Sequence, residues 1–452
     1  MKHLPVEFAE RMKQLLSEEE FRLYEESFQQ NAVRAFRVNT EKISLNDFAA
    51  IDPFSSGPIP YVETGFYLDY DKVGNHPFHH AGMIYVQDPG ATAPAECVDI
   101  QPDWWILDLC AAPGGKSSQL RNKLGENGIL ISNEIVLSRC KILTGNIERL
   151  GFRNTATTCL DPARIAKAFP ETFDMIMVDA PCSGEGMFRK DDIAIKEWSV
   201  DNVLHCAQRQ KQILEHAVTA LRPGGVLVYA TCTFSLDENE MVIDHFLQQH
   251  PEFKLIPVRD VVRRHTSDGI RFDGCTCENL HDARRFYPHK SRGEGQFMAV
   301  LQDTRPSAPR PAKAKKAPAK LDPIILDFLK DTLVSYDPEQ VSLHNGNPVY
   351  AAPALALDKV AFSCGVTIGE VRKNYVQPHH QFFMAMGRQF KRQIELAPDS
   401  AELERYLHGE EIPVDCENGW AVITTNGCSV GGAKVVAGRA KNHYPKGLRK
   451  LT

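Results

Sequence analysis

Two cysteines, each following an apolar run and each set among small turn-forming residues, are the residues best suited to chemistry in this 452-residue chain. Cys182 lies in DAPCSG (179–184), and Cys232 lies in ATCTFS (230–235). A thiolate is a strong nucleophile, but a free thiol has a pKa of about 8.5, so only a small fraction is ionised at neutral pH. A single cysteine of this kind usually serves packing. Two in matching positions predict a nucleophilic site that contains both thiols.

The elements around these cysteines alternate between apolar strand-like runs and helix-like stretches, which predicts an α/β fold with a doubly wound, mostly parallel sheet. In such a sheet, ligands bind beyond the carboxyl ends of the strands, and the two cysteines follow the fourth and fifth strands. If those strands are neighbours, both thiols open onto one cleft. The predicted strands are 105–109, 128–132, 155–160, 174–179 and 225–231, and the predicted helices are 117–124, 138–150 and 200–221.

A helix start is also predicted close to the second thiol. Ser235-Leu236-Asp237-Glu238 is a capping-box pattern, so we expect a helix that begins three residues after Cys232. The positive end of that helix, together with Lys116, would favour a thiolate nearby.

A second group of residues follows the first three strands and suits an adenosine-containing cofactor. Paired glycines after the first strand allow a ligand to approach the backbone, and the next helix aims its amides at that ligand. Glu134 ends the second strand and suits a ribose with two free hydroxyls. Asp161 ends the third strand and is placed to accept from an adenine amino group. The loop residues are Cys110, Ala111, Ala112, Pro113, Gly114, Gly115 and Lys116.

Two other nucleotide-binding loops fit less well. NAD binding predicts G-x-G-x-x-G, which this loop lacks. A phosphate-binding loop needs a glycine where Cys110 stands, so Gly114-Gly115-Lys116-Ser117 supplies only its end. S-adenosylmethionine has no pyrophosphate and needs no strict phosphate loop, so it is the expected cofactor.

Several motifs together resemble one enzyme family. LDLCAAPGGKSSQL (107–120), VDAPCSGEGMFRKD (178–191) and YATCTFSLDENE (229–240) resemble the signature motifs of the Sun-type (Nop/Nol/Sun) RNA cytosine-C5 methyltransferases. RVNT (37–40) and HPFHHAGMIYVQDPGA (76–91) are similar to that family as well. GAKVVAGRAKNHYPKGLR (432–449) resembles its bacterial RsmF-type branch, which modifies small-subunit ribosomal RNA.

The resemblance implies a Rossmann-like class I methyltransferase fold and a set of residue roles. Cys232 would be the nucleophile, and Cys182 would help to release the product. Spacing alone leaves open which cysteine attacks, and only the resemblance chooses. The loop Cys110–Lys116 with Glu134, Asp161 and Asp179 would contact S-adenosylmethionine, and Asp179 and Lys116 would also reach the target base.

The charge pattern and the resemblance together divide the chain into four parts. Although the net charge is −6, residues 305–320 carry six bases and no acid, and so do the last twenty-two residues. Bases interleaved with an aromatic residue suit RNA. We expect an N-terminal RNA-contacting α+β module (1–80), the methyltransferase domain (81–302), a basic Pro/Ala/Lys linker (303–320) and an RNA-binding region ending in a PUA-like module (321–452). The terminal bases are Lys434, Arg439, Lys441, Lys446, Arg449 and Lys450.

Composition argues against a membrane protein, a secreted protein and a metal-binding protein. No apolar run approaches the roughly 18 residues that span a bilayer, and the N-terminus does not look like a signal peptide. Twelve scattered cysteines then indicate reduced thiols, so we expect a cytoplasmic protein without membrane contact. We expect no metal site, because two groups of candidate ligands, one of histidines and one of cysteines and histidines, lack further matching ligands. We interpret the second group as surface-loop residues. These groups are His76, His79 and His80, and Cys275 and Cys277 with His281 and His289.

The predicted function is S-adenosylmethionine-dependent methylation of cytosine C5 in ribosomal RNA, with ribosomal RNA or the small ribosomal subunit as partner and a monomer as the expected state. One alternative is the same chemistry on transfer RNA. Another is a non-catalytic RNA-binding assembly factor, against which the presence of both cysteines argues.

Overall fold

A computed structural model defines the fold of this chain. It describes residues 4–307 and 321–450, apart from Pro353, Ala354, Ala356, Asp358 and Lys359. Most of the predicted basic linker, 308–320, lies outside the described residues.

The N-terminal module is a helical hairpin followed by a four-stranded antiparallel sheet. Its sheet has the strand order β2–β3–β1–β4, and β4 lies beyond residue 80, where we expected the module to end. Ser17 and Glu20 form a capping box that begins α2. The elements are α1 (Val6–Leu15), α2 (Glu18–Ser27), β1 (Ala35–Val38), α3 (Leu45–Ala49), β2 (Ser55–Pro58), β3 (Gly65–Leu68), α4 (Pro77–His80) and β4 (Ile84–Val86).

The central domain is built on a ten-stranded mixed sheet with helices on both faces. Its elements are α5 (Pro89–Thr92), β5 (Trp105–Asp108), α6 (Gly115–Lys123), β6 (Ile129–Asn133), α7 (Leu137–Leu150), β7 (Thr155–Thr158), α8 (Pro162–Ala168), β8 (Phe173–Asp179), α9 (Asp192–Glu197), α10 (Val200–Ala220), β9 (Leu221–Thr231), α11 (Glu240–Gln249), β10 (Phe253–Ile256), α12 (Asp260–Arg263), β11 (Ser267–Asp268), β12 (Arg284–Phe286) and β13 (Gln296–Asp303).

The predicted doubly wound sheet is confirmed. Strands β9, β8, β5, β6 and β7 are parallel neighbours in that order, and helices connect them. Both faces of these strands are covered, which explains their nearly continuous apolar runs. Strand β13 then adds antiparallel to β9, and β10, β11 and β12 extend the sheet from it.

The helix predicted to begin beside Cys232 starts later than its sequence pattern indicates. Residues 236–239 form a turn, and α11 begins at Glu240. The capping-box interpretation is wrong because Glu238 does not bond back to a helix N-terminus. Its buried carboxylate instead accepts hydrogen bonds from Ser183 and Gln210.

The C-terminal region contributes to the central sheet and then forms a sheet of its own. Strand β16 pairs antiparallel with β7, so the central sheet takes a strand from outside the expected range 81–302. A five-stranded sheet of order β20–β22–β23–β24–β21 closes the chain. The elements are α13 (Pro323–Thr332), β14 (Val341–His344), β15 (Asn347–Tyr350), β16 (Ala361–Cys364), β17 (Val366–Thr367), β18 (Gly369–Val371), β19 (Val376–Pro378), α14 (His380–Met386), β20 (Gln393–Glu395), α15 (Ala401–His408), β21 (Ile412–Pro413), β22 (Gly419–Thr425), β23 (Cys428–Val436) and β24 (Arg439–Asn442).

The two ends of the chain pack together. Apolar residues of the N-terminal sheet, such as Phe36 and Phe78, share one buried cluster with residues of the C-terminal sheet, such as Tyr406 and Val430. A hydrogen bond of 2.8 Å between His80 Nδ1 and the Tyr444 hydroxyl joins the same surfaces. Across the described ranges, none of the helices is both long enough and apolar enough to span a bilayer.

Candidate active site

The two thiols lie side by side at the carboxyl edge of the central sheet. Strands β8 and β9 are parallel neighbours with Asp179 opposite Ala230, as predicted, so the loops that follow them leave the sheet together. The sulfur atoms of Cys182 and Cys232 are 3.3 Å apart, and both residues are partly exposed. The structure therefore places both thiols together at this edge of the sheet, as expected.

Two buried acids fix the loops that carry these thiols. The Glu238 carboxylate accepts from the Ser183 amide at 2.9 Å and lies 3.3 Å from the Thr233 hydroxyl, and these residues directly follow the two cysteines. The Glu185 carboxylate accepts from Thr233 at 2.8 Å and from the Phe234 amide at 2.9 Å. Each acid forms hydrogen bonds that link the two loops, so these buried bonds fix the distance between the two thiols.

The thiol of Cys182 is held in its protonated form. Its pKa lies well above the ordinary value, first because of its hydrogen bond with Cys232 and then because the surrounding protein shields the sulfur from water. A buried charge without a compensating partner is costly, so the pair favours one neutral thiol beside the other sulfur.

The glycine-rich loop after β5 is shaped for close approach of a ligand. Gly114 has a φ of +112°, a conformation that side chains other than glycine rarely adopt, and it precedes the first turn of α6. The buried Arg37 guanidinium holds this turn by donating to the Gly115 carbonyl at 2.7 Å and to the Ser118 hydroxyl at 2.6 Å. The amides of the α6 N-terminus thus face the same edge as the thiols.

Lys116 and Ser117 are paired with acids rather than left for a phosphate. The Lys116 ammonium lies 2.8 Å from the Asp179 carboxylate, and the Ser117 hydroxyl donates to Asp108 at 2.6 Å. Burial raises the pKa of Asp108 to about 7, and the nearby charge of Asp179 adds to this effect. This arrangement disfavours a phosphate-binding loop, whose lysine must meet phosphate oxygens.

Glu134 and Asp161 stand at the next two strand ends. Glu134 directly follows β6 and is nearly buried, with Arg139 3.2 Å from its carboxylate. Asp161 caps α8 by accepting from the Arg164 amide at 3.0 Å. Beside Glu134, Ile135 is 58% exposed, which provides an apolar surface for a flat ring.

These donors and acceptors fit S-adenosylmethionine. One oxygen of the buried Asp108 carboxyl has no hydrogen-bond partner among the described residues, which leaves an acceptor beneath the glycine loop. Carboxylates suit ribose hydroxyls and the positive charges of the cofactor's amino and sulfonium groups. The loop from Cys110 to Lys116 would hold the methionine part, and Glu134, Ile135 and Asp161 would hold the adenosine part.

The histidine and cysteine groups considered as metal ligands serve other purposes. His76 caps α4, and His80 contacts Tyr444. Within the described ranges, no group of three or more histidines, cysteines or acids could hold a metal ion. Cys277 is buried rather than on the surface, which corrects our expectation, because it packs in the apolar core of the central domain.

Sequence reasoning missed four residues that shape this site. Asp108 could have been found, because an acid in the last position of the first strand faces the cofactor edge. Arg37 lies in a motif that we quoted without assigning a role. Glu185 gave no separate signal and Glu238 gave only the helix-start pattern, since their partners come from other loops that only the fold brings near.

The mixed sheet, its glycine-rich loop and its edge of acids define a class I methyltransferase that uses S-adenosylmethionine. Three family models match the chain. They describe the N-terminal domain of 16S rRNA methyltransferase RsmF (residues 4–89), 16S rRNA methyltransferase RsmB/F (95–302) and the methyltransferase RsmF PUA domain (393–450).

Relatives match over nearly the full length of the chain. Ribosomal RNA small subunit methyltransferase F of Vibrio vulnificus (strain YJ016) is 31% identical, with 99% of this chain and 98% of the relative covered. The Klebsiella pneumoniae (strain 342) protein of the same name is 32% identical over 92% and 90%. A methyltransferase homologue from Pyrococcus horikoshii matches in structure with a TM-score of 0.57 and 29% identity, covering 66% of this chain and 94% of its own.

NSun6 from the same organism shares the fold, with a TM-score of 0.56 and 21% identity over 67% and 99% of the two chains. The chain belongs to the RsmF family of 16S ribosomal RNA methyltransferases. The predicted enzyme class and cofactor are thereby confirmed.

Proposed function

We propose that this enzyme methylates C5 of cytosine in small-subunit ribosomal RNA through a covalent adduct between Cys232 and C6 of the base. The observation that carries this proposal is the 3.3 Å contact between the Cys232 and Cys182 sulfur atoms, beside the Lys116–Asp179 pair. A site with a single attacking thiol would need no second cysteine at that distance.

Attack by sulfur makes C5 reactive. Cytosine C5 is a poor nucleophile, but a bond between the Cys232 sulfur and C6 turns the ring into an enamine and raises the electron density at C5. N3 must gain a proton as this bond forms. The Lys116 ammonium donates to Asp179, so this pair offers a proton at the polar edge of the cleft. S-adenosylmethionine, when bound, supplies the methyl group that C5 takes.

Release requires a base, and Cys182 is suited to that role after attack. The C5 proton must leave, and the electrons of its bond re-form the C5–C6 double bond as the sulfur–C6 bond breaks. The chief cause of the raised Cys182 pKa is its hydrogen bond with Cys232. Once the Cys232 sulfur is bonded to carbon it carries no charge, so this cause weakens and Cys182 ionises more readily.

The substrate form and the state of the protein belong to the same proposal. We infer that the enzyme acts as a monomer in the cytoplasm, on ribosomal RNA within the small subunit. None of the twelve cysteines, all within the described residues, forms a disulfide bond, which is the state that reducing conditions would maintain. The C-terminal sheet, in the segment that matches the RsmF PUA domain, supports RNA contact.

Transfer of labelled methyl groups tests the substrate. Purified enzyme with tritiated S-adenosylmethionine should label small ribosomal subunits and not bulk transfer RNA, and bisulfite sequencing should place the label on cytosine. The Cys232→Ala variant is the control for background labelling. Preferential labelling of transfer RNA, or no labelling of either RNA by a folded enzyme, would contradict the proposal.

A further inference from the structure

A second cavity lies beside the catalytic cleft, between the N-terminal sheet and the outer strands of the central sheet. Its volume is about 440 Å³. We name it the tyrosine–arginine cavity after the residues that line it from three parts of the chain, namely Tyr61, Tyr67, Arg264, His265, Lys290 and Arg292.

The cavity shares a wall with the loop that carries Cys232. Strand β13 runs antiparallel to β9, with Phe297 opposite Thr231, so the β12–β13 loop lies at the carboxyl edge of the sheet. Tyr287, which also lines the cavity, stacks on Phe234 with ring centroids 5.5 Å apart and an angle of 7° between the rings. Phe234 follows Cys232 by two residues. The cavity and the loop that carries Cys232 are therefore joined by one pair of stacked aromatic rings.

The cavity is positively charged and offers a flat stacking surface. The guanidinium of the exposed Arg292 lies 3.9 Å from the centre of the Tyr67 ring. Among the described residues, neither Arg264 nor Arg292 has a carboxylate partner, and no acid lines the cavity, whereas Lys290 is paired with Glu20. Two unpaired guanidinium groups beside buried tyrosines suit a phosphodiester and a nucleobase.

We propose that the tyrosine–arginine cavity binds a nucleotide that flanks the target cytosine in the RNA strand. The base stacks on the Arg292–Tyr67 pair, and Arg264 and Arg292 meet its phosphate. This inference rests on the proposed function, in which a cytosine of the RNA strand must be unstacked to reach Cys232. The cavity is distinct from the cofactor loop and from the thiols.

The test measures RNA binding in Arg292→Ala, Arg264→Ala and Arg292→Lys, with Lys254→Ala as the matched control. Lys254 is an exposed cation on β10, which pairs with the far end of β13. Fluorescence anisotropy with a single-stranded RNA fragment should give an affinity about tenfold weaker for Arg292→Ala. Its slope of log affinity against log salt should be shallower by about 0.7, the value for one lost phosphate contact. Arg292→Lys should keep the salt slope but lose affinity, because it retains the charge without the stacking plane.

Cofactor affinity and thermal melting should match those of the wild type in every variant. RNA affinities and salt slopes equal to those of Lys254→Ala would overturn the cavity assignment. The cavity assignment would also be overturned if the arginine variants lost affinity for RNA fragments that lack cytosine but not for the substrate RNA. Since binding is measured without turnover, failure of the wild type to methylate RNA would count against the proposed function and not against the cavity.

Discussion

At the scale of single residues, the candidate active site is marked by charged groups that the fold buries and pairs closely. Glu134 is nearly buried and is paired with Arg139, while Lys116 is neutralised by Asp179. The same residue types on the surface would have little effect, because water screens them. Environment, rather than residue type alone, therefore distinguishes the acids proposed to bind the cofactor from the remaining carboxylates.

The substitution Glu134→Ala should weaken S-adenosylmethionine binding. It removes a charge-assisted hydrogen bond to the ribose, worth on the order of 1.5–3 kcal/mol. Titration calorimetry measures the change directly. Glu126→Ala, at an exposed acid in the preceding loop, should bind the cofactor like the wild type. Equal affinities for the two folded variants would remove Glu134 from the site.

The sequence predicted the candidate reactive residues but not the network that supports them. Cys182, Cys232 and the glycine loop were predicted because each directly follows a strand of recognisable pattern. The contacts of Glu238 with Ser183 and Gln210 join residues 55 and 28 positions apart. No local pattern encodes such a contact, since it exists only when β8, β9 and α10 are packed.

At the scale of elements, the segment after β9 shows how tertiary contacts override a local signal. Ser235 to Glu238 has the composition of a helix start, yet α11 begins at Glu240. The buried Glu238 carboxylate accepts a hydrogen bond from the Ser183 amide. Without it, this buried amide would have no hydrogen-bond partner in these loops. The five parallel strands could be predicted from the sequence, because a strand that is buried on both faces needs a nearly continuous run of apolar residues.

Glu238 gives the stability of these loops a pH dependence. Burial raises its pKa to about 7, above its ordinary value of 4.5. A carboxyl whose pKa is higher in the folded state stabilises the fold below pH 4.5, and that contribution is lost as the pH rises through 7. The wild type should therefore lose stability relative to Glu238→Gln, by about 3 kcal/mol across this range.

Melting temperatures of the two proteins at pH 5, 6, 7 and 8 test this expectation. Glu185 and Cys182 also face Glu238 and are present in both proteins, so the comparison reports the loss of the Glu238 carboxyl together with its effect on these two neighbours. A melting-temperature difference that stays constant with pH would show that Glu238 does not titrate in this range.

At the scale of the whole molecule, the C-terminal basic segment is part of a folded sheet and not a free tail. Ala440 in β24 is buried, and Tyr444 packs against His80 of the N-terminal module. Arg439 pairs with Glu411 and Lys450 pairs with Glu404. The sequence indicated a basic RNA-binding surface, but charge composition alone does not show which bases are already paired within the fold.

The double substitution of Lys441 and Lys446 by alanine should weaken RNA binding. Neither lysine has an acidic partner among the described residues, so both can meet phosphate. The slope of log affinity against log salt should become shallower by about 1.4, the value for two contacts with single-stranded RNA. Deleting residues 439–452 instead would remove β24 and unfold the sheet. A slope equal to that of Lys254→Ala would show that these lysines are only solvated.

The central claim is that Cys232 attacks the base and Cys182 releases the product. Each cysteine is replaced by alanine, singly and together, and the enzyme is incubated with S-adenosylmethionine and RNA before denaturing electrophoresis. Cys182→Ala should accumulate an RNA–protein adduct, because it can attack and transfer methyl but cannot readily release the product. Cys232→Ala and the double variant should form no adduct and should be inactive, because attack precedes release. An adduct in Cys232→Ala and none in Cys182→Ala would reverse the roles, and full activity in both single variants would contradict the two-thiol mechanism.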